Sequence, residues 1–206
     1  CSVRTVREGM EAIEEGSADY AVLPIENSTA GPVNEMYDLL DEFENFIVAE
    51  TILPIVHTLA GLPGTKLSDI RTVYSKTEAL MQTSRFLDDH SNWQKISVVN
   101  TAIAAKKVLE DQDRTQAAVC SAYAAEAHGL SVLVDKINDE PDNSTRFIVV
   151  TNQKIFLKNA SKISIRFEVP HTSGSLYGIL SHFIYNDLNM TKIESRPVEG
   201  KNWEYC

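Results

Sequence analysis

The stretch Ile96-Ser97-Val98-Val99-Asn100-Thr101-Ala102-Ile103-Ala104-Ala105-Lys106-Lys107-Val108-Leu109-Glu110 decides the fold class. Ile96 to Val99 reads as a short strand, and Asn100-Thr101 opens a helix through about Glu110. The same unit recurs on either side. Ile70 to Tyr74 is a strand, and Ser75 opens a helix through about His90. Ala117 to Cys120 is a strand, and Ser121 opens a helix through about His128, closed by Gly129. Val132 to Val134 and Arg146 to Thr151 add further strands. Upstream, Val3, Val6, Met10 and Ile13 recur at helical spacing and Gly16 stops that helix. Ala18 to Ile25 is an apolar strand ended by Pro24, and the loop from Asn27 to Pro32 leads into a helix carrying Val33, Met36, Tyr37 and Leu40. Phe46 to Leu59 reads as one or two strands, and Gly61-Leu62-Pro63-Gly64 as a turn. Strands alternating with helices predict an α/β sheet with helices on both faces.

The pattern changes after a polar connection from Lys154 to Ser161. Ile163, Ile165, Phe167 and Val169 alternate as in a strand, Leu176 to Asp187 is helical, and Met190 to Ser195 and Trp203 to Cys206 are strand-like. A strand, a helix and two strands form most of a ferredoxin-like unit, without its second helix and last strand. The boundary falls near residue 158.

The chain has 206 residues and a net charge of -10, with 43% hydrophobic residues. Such usage is that of a globular protein with a core large enough to need no metal or disulfide. Residues 1 to 53 hold twelve acids and two bases, so the whole excess lies in the first quarter. Glu8, Glu11 and Glu15, and likewise Asp38, Asp41 and Glu42, read as solvated helix faces rather than as an acidic docking surface. The acidity argues against nucleic acid or an anionic membrane as partner. No apolar run approaches a membrane span and no signal peptide opens the chain. Cys1, Cys120 and Cys206 form no Cys-x-x-Cys pair, and the five histidines show no metal-ligand spacing, so no metal is expected. Cys120 reads as a buried small hydrophobe, and the cysteine usage fits a reducing compartment, the cytoplasm. Cys, not Met, is the first residue, so a fragment or trimmed product is expected.

Four strand-to-helix junctions place a small hydroxyl or amide residue where a helix starts: Asn27-Ser28-Thr29, Ser75, Asn100-Thr101 and Ser121. Ser75 with Glu78 has the capping-box spacing. Ligands of open α/β sheets bind at the carboxyl ends of the strands, where helix N-termini offer N–H groups to an anion. Each junction alone is equally served by a plain cap. Arg146 enters an apolar strand in Asn143-Ser144-Thr145-Arg146-Phe147, and its guanidinium suits either a ligand carboxylate or a local aspartate such as Asp139 or Asp142. Glu26 fits an acid, a base or a cap. His57 and His128 read as structural, and no nucleophile motif, P-loop or Gly-rich dinucleotide turn is present.

Taken together, the motifs resemble a known family. Asp19-Tyr20-Ala21-Val22-Leu23-Pro24-Ile25-Glu26-Asn27-Ser28-Thr29-Ala30-Gly31 resembles the signature of prephenate dehydratase, and so do Val73-Tyr74-Ser75-Lys76-Thr77-Glu78-Ala79-Leu80-Met81-Gln82 and Asn100-Thr101-Ala102-Ile103-Ala104-Ala105. Asn143-Ser144-Thr145-Arg146-Phe147 is similar to that family's Thr-Arg-Phe motif. Gly174-Ser175-Leu176 and Ile193-Glu194-Ser195-Arg196-Pro197 resemble phenylalanine-binding motifs of its ACT-type regulatory domain. Lys76-Thr77-Glu78 stand where the family usually has His-Pro-Gln.

The resemblance implies an α/β chain: a two-lobed catalytic domain of the type II periplasmic-binding-protein kind over residues 1–157, then an incomplete ferredoxin-like α+β ACT domain over 158–206. It implies decarboxylating dehydration of prephenate to phenylpyruvate in phenylalanine biosynthesis, with no cofactor. By position, Thr145 is the expected catalytic donor. Asn27, Ser28, Ser75, Gln82, Thr101 and Ser121 are expected substrate residues, with Arg146 on a carboxylate. Gly174, Ser175, Leu176, Glu194, Ser195, Arg196 and Pro197 are expected to bind L-phenylalanine as allosteric effector, in a homodimer or homotetramer. Some family members follow a chorismate mutase domain. Arogenate as substrate, and a non-catalytic two-lobed sensor, are the competing expectations.

Overall fold

A computed structural model describes residues 3–197. In chain order its elements are α1 (Val6–Glu14), β1 (Ala21–Asn27), β2 (Gly31–Pro32), α2 (Asn34–Glu42), β3 (Phe46–Pro54), β4 (Thr58–Gly61), β5 (Thr72–Ser75), α3 (Thr77–Met81) and α4 (Ser84–Asp88). They continue with β6 (Gln94–Ser97), α5 (Thr101–Asp111), β7 (Gln116–Cys120), α6 (Ala122–Ala127), β8 (Ser131–Val134), β9 (Ser144–Thr151) and α7 (Ser175–Tyr185). The strands form two sheets, β2-β1-β9-β3 and β6-β5-β7-β4-β8. The strand expected over 203–206 lies outside the described residues.

The chain divides into two compact units. One comprises Glu26–Pro32 and Thr51–Phe147 and contains the whole five-stranded sheet. There β5 runs parallel to β6 and β7, while β4 pairs antiparallel with β7 and β8. Alternation along the strands sorts side chains to two faces. Ala118 and Cys120 of β7, Ala60 of β4 and Tyr74 of β5 pack with Ala104, Ala105 and Val108 of α5 and Ala125 of α6. Ala117 and Val119, Leu59 and Val73 pack with Ala79 of α3, Leu87 of α4 and Trp93. Both faces are therefore covered, as the alternation of strands and helices predicts.

The other unit comprises the chain up to Ile25, Val33–Glu50 and the chain from Ile148. Its core joins Met10 and Ile13 of α1, Met36 and Leu39 of α2, Leu23 and Ile25 of β1, and Ile148 and Val150 of β9. The acidic faces stay largely at the surface, and the acids of α2 carry ion pairs there. Arg166 reaches Asp41 at 2.5 Å, Arg196 forks onto Asp38 at 2.9 and 2.7 Å, and Arg7 forks onto Glu42. The hydrogen bonds from Arg7 hold the Glu42 carboxyl below its ordinary range. Asp38 and Asp41 thus receive bases from the far end of the sequence and Glu42 receives Arg7 from α1, pairings that no local spacing encodes.

Three local expectations are corrected. β1 runs through Pro24 instead of ending there. The Asn27 loop caps no helix: it is the turn of a hairpin in which Asn27 faces Gly31, whose φ of 84° is the left-handed conformation glycine tolerates. Ser75 does not form a capping box with Glu78, because Ser75 closes β5 and its buried hydroxyl donates to the Val119 carbonyl at 2.6 Å. Asn100 and Ser121 do cap, accepting from Ile103 N–H and Ala124 N–H.

The ferredoxin-like expectation is met only in its helix. Residues 163–169 and 190–195 form no regular strand, and α7 buries none of its side chains. A strand exists by pairing, and alternation supplies only the faces, not the partner.

Cys120 lies fully buried on β7, and burial pushes its thiol up from 9.0 to about 11. We predict that a thiol-specific reagent at mildly alkaline pH leaves Cys120 unmodified in the folded protein and labels it in denaturant, as read by peptide mass spectrometry. Since the folded value is the raised one, the associated stability is present below 9.0 and declines as pH climbs through about 11.

Candidate active site

One polar network in the unit built on the five-stranded sheet gathers the hairpin turn, the end of α3 and the start of β9. Asn27 is its hub. Its Oδ1 accepts the backbone N–H of Thr29 at 3.0 Å and of Ala30 at 2.8 Å. This is the turn that asparagine side chains commonly close on their own backbone. Its Nδ2 donates toward Thr145 Oγ1 at 3.0 Å, Asn143 Oδ1 at 3.0 Å and the Ser144 carbonyl at 3.1 Å. Thr29 Oγ1 bridges Asn27 Oδ1 at 2.8 Å and Asn143 Oδ1 at 3.3 Å. Gln82, just past α3, donates from Nε2 to Thr29 Oγ1 at 3.1 Å, and its Oε1 lies 3.0 Å from His57 Nε2.

Backbone bonds hold the frame. Ser28 N–H donates to the Ser144 carbonyl and Ser144 N–H donates to Ser28 Oγ, each at 2.9 Å. The segment between β8 and β9 is tied down likewise. His57 N–H donates to Asn138 Oδ1, Ile137 N–H to the His57 carbonyl, and Asp139 N–H to the Gln82 carbonyl.

Arg146 does not pair with Asp139 or Asp142. Its Nε lies 3.9 Å from Glu26 Oε2, while Asp139 accepts from Ser84 Oγ and Arg85 N–H. Ser84 and Arg85 take Asp139 because its loop docks on the start of α4. Arg146 and Glu26 meet because β9 and β1 are neighbours in the sheet. Thr101 and Ser121 line a cavity of about 260 Å³ together with Pro54, Ile55, His57 and Ala122. Lys76 is exposed and pairs with Glu78 at 3.2 Å; the Glu78 carboxyl is held low first by its own backbone N–H and then by Lys76.

Of the residues singled out from sequence, the fold therefore brings together Asn27, Ser28, Gln82 and Thr145, with Arg146 beside Thr145 on β9. Thr101 and Ser121 share a cavity wall. Ser75 is set apart, fully buried with its proton spent on Val119. Thr29 and Asn143 carry no role of their own in the sequence reading, His57 reads there as structural, and Asn138 is not singled out. Thr29 and Asn143 sit inside quoted motifs, whereas nothing local links His57 to Gln82. Asn143 is 2% exposed, and its Nδ2 has no hydrogen-bond partner among the described residues, so its amide is placed for what Oδ1 receives.

The expected effector residues lie in the other unit. Ser175, Leu176, Glu194 and Ser195 line a cavity of about 470 Å³ with Phe167 and Val169. Gly174, at φ 86°, caps α7. Arg196 turns toward Asp38, and Pro197 is exposed.

A family model described as prephenate dehydratase matches residues 1–155. The chain belongs to the prephenate dehydratase family. A prephenate dehydratase of Lactococcus lactis is 36% identical over 98% of this chain and 74% of its own. A solved prephenate dehydratase from Arthrobacter aurescens, in complex with L-Phe, is 32% identical with a TM-score of 0.80, covering 98% of this chain and 68% of that one. A solved structure described as GqqA, a novel type of quorum quenching acylase, is 29% identical with a TM-score of 0.81, covering 98% and 74%. The chain spans about half the length of the bifunctional chorismate mutase/prephenate dehydratases it matches, 54% of that from Pseudomonas aeruginosa.

Replacing the hub tests the network directly. In Asn27→Asp the inner oxygen still accepts from Thr29 and Ala30, but the outer one faces Asn143 Oδ1 and the Ser144 carbonyl, neither of which donates. We expect a loss of about 2 kcal/mol in urea unfolding, the cost of opposed acceptors. An unchanged unfolding free energy would show that Nδ2 does not donate as described.

Proposed function

We propose that this protein is a prephenate dehydratase that converts prephenate to phenylpyruvate, CO2 and water. In that reaction the bond from the ring to its carboxylate breaks, and the electron pair completes the aromatic ring. The ring hydroxyl departs as water, taking up a proton that comes from solvent and is passed on through the Thr145 hydroxyl, which regains its own. Aromatisation supplies the driving force, so the enzyme needs a hydrogen-bond donor at the leaving hydroxyl and a substrate held in place.

The observation that carries this reading is the Asn27–Thr145 hydrogen bond. A hydroxyl has one proton and two lone pairs. Because Asn27 Nδ2 donates to Thr145 Oγ1, the threonine proton is left to point elsewhere. Thr145 is half-buried, so that proton is available to a bound molecule. A threonine hydroxyl is too weak an acid to ionise here, and its role is donation to the departing oxygen. Asn27 and Gln82 act through the side chains they hold, fixing the Thr145 and Thr29 hydroxyls beside the substrate, and Arg146, its charge balanced by Glu26, forks onto a carboxylate. Ser28, Thr101 and Ser121 supply cleft wall, and Ser75 acts by holding β5 to β7.

In the same reading, residues from about 158 onward are an ACT-type regulatory domain that binds L-phenylalanine; the Arthrobacter prephenate dehydratase was solved in complex with L-Phe. Effector control requires that phenylalanine bind the low-activity state more tightly. The cavity carrying Ser175, Leu176, Glu194 and Ser195 is the place for it, in a cytoplasmic homodimer or homotetramer. Gly174→Val is expected to abolish phenylalanine binding in calorimetry and leave basal activity intact.

The test is the ultraviolet absorbance of phenylpyruvate formed from prephenate. We expect Thr145→Ala to lower kcat by about 100-fold or more, with prephenate binding within a few-fold. Near-normal kcat in that variant would remove Thr145 from the chemistry. Arg146→Lys is expected to raise KM, since an ammonium does not reproduce the two-pronged contact.

A further inference from the structure

The polarity of the network around Asn27 is not free, and following it outward reaches a residue that the dehydratase chemistry does not itself call for. Backbone groups set the starting point. Asn27 Oδ1 faces two backbone N–H groups, so that end accepts. Asn27 Nδ2 faces the Ser144 carbonyl, so that end donates. Asn143 presents Oδ1 to this donor.

Thr29 Oγ1 lies between Asn27 Oδ1 and Asn143 Oδ1, two acceptors, so its single proton goes to one of them. Its lone pairs are then left for Gln82, which must approach with its amide nitrogen. Gln82 Oε1 consequently faces His57, and the ring nitrogen 3.0 Å away must carry a proton. A chain of five side chains thus ends on one specified tautomer of a histidine that is 6% exposed.

We propose that His57, protonated on Nε2, is a positioning residue: it holds the Gln82 amide in the one orientation compatible with Thr29, Asn27 and Thr145. A glutamine side chain has two near-isosteric settings, and without a donor at Oε1 the amide has nothing to hold it against reversal or rotation into solvent. Reversal turns Oε1 onto Thr29, so the Thr29 proton is drawn off Asn27 toward Gln82. The histidine frame suits the task. Its backbone N–H and carbonyl are both bonded, to Asn138 and Ile137, so the ring is held from below. The imidazole touches no reacting atom in this role and acts through Gln82.

The activity arm of the test rests on the dehydratase reading; a second arm does not. In the intact protein labelled with 15N-histidine, long-range proton–nitrogen NMR distinguishes the tautomers, and the His57 signals are identified by their absence from His57→Gln. We expect Nε2 to be protonated at neutral pH. An unprotonated Nε2 overturns the proposal whether or not the protein turns over prephenate. For activity, His57→Phe keeps the ring and loses the donor, whereas the Nε2 of His57→Gln is placed to replace it. We expect His57→Phe to lower kcat/KM about tenfold, and His57→Gln to recover most of that loss. Thr29→Val combined with His57→Phe should do no more damage than the worse single change, because both break one chain. Equal activities of the Phe and Gln variants, or multiplying effects in the double variant, would sink the proposal. If the unaltered protein gives no phenylpyruvate, the dehydratase reading falls while the tautomer still decides the chain.

Discussion

A primary amide has an accepting end and a donating end, and at Asn27 the backbone claims both. Thr29 and Ala30 N–H groups take the oxygen, and the Ser144 carbonyl takes the nitrogen. No other rotamer of that amide satisfies these three groups. Everything polar nearby inherits its direction from this constraint. Thr145 must accept from Asn27, Thr29 must donate to Asn27 or Asn143, and Gln82 must offer nitrogen to Thr29. A site assembled this way holds its hydrogen bonds in one arrangement before any ligand arrives, which is what preorganised donation requires.

The scaffold serves that constraint. Asn27 ends β1 at a hairpin whose other side is fixed by the left-handed Gly31. Asn143, Ser144 and Thr145 enter β9, which lies beside β1 in the sheet, so adjacency of two strands converts residues more than a hundred positions apart into direct partners. The paired bonds between Ser28 and Ser144 lock that adjacency at the site itself. Glu26 and Arg146, one residue further along each strand, meet for the same reason. Gln82 arrives from α3, which stands on the five-stranded sheet through Ala79.

Charge follows a second logic. Acids crowd the first quarter of the sequence, yet Asp38, Asp41 and Glu50 receive Arg196, Arg166 and Lys162. The segment beyond β9 thus reaches α2 and β3 through these ion pairs, while α7 buries none of its side chains. Exposed ion pairs each contribute little, about 0.2 to 1 kcal/mol, so this attachment is salt-sensitive in a way the apolar cores are not.

The sequence by itself determined the elements and the chemistry on offer. Alternating strands and helices, Asn100 and Ser121 as caps, the buried character of Cys120 and the motifs around Asn27, Gln82, Thr145 and Arg146 were all legible, because local propensity and side-chain type carry them. Tertiary structure alone decided which of those groups meet. Ser75 has the spacing of a cap and instead holds two strands together, since its strand runs one residue further than the cap requires. Glu26, not Asp139 or Asp142, faces Arg146, because strand adjacency outweighs nearness in sequence. Alternation over 163–169 promised a strand, but a strand needs a ladder partner that alternation cannot name. His57 read as merely structural in the sequence, because its partner is a residue twenty-five positions away, and the direction of that bond is set by a backbone turn thirty positions upstream.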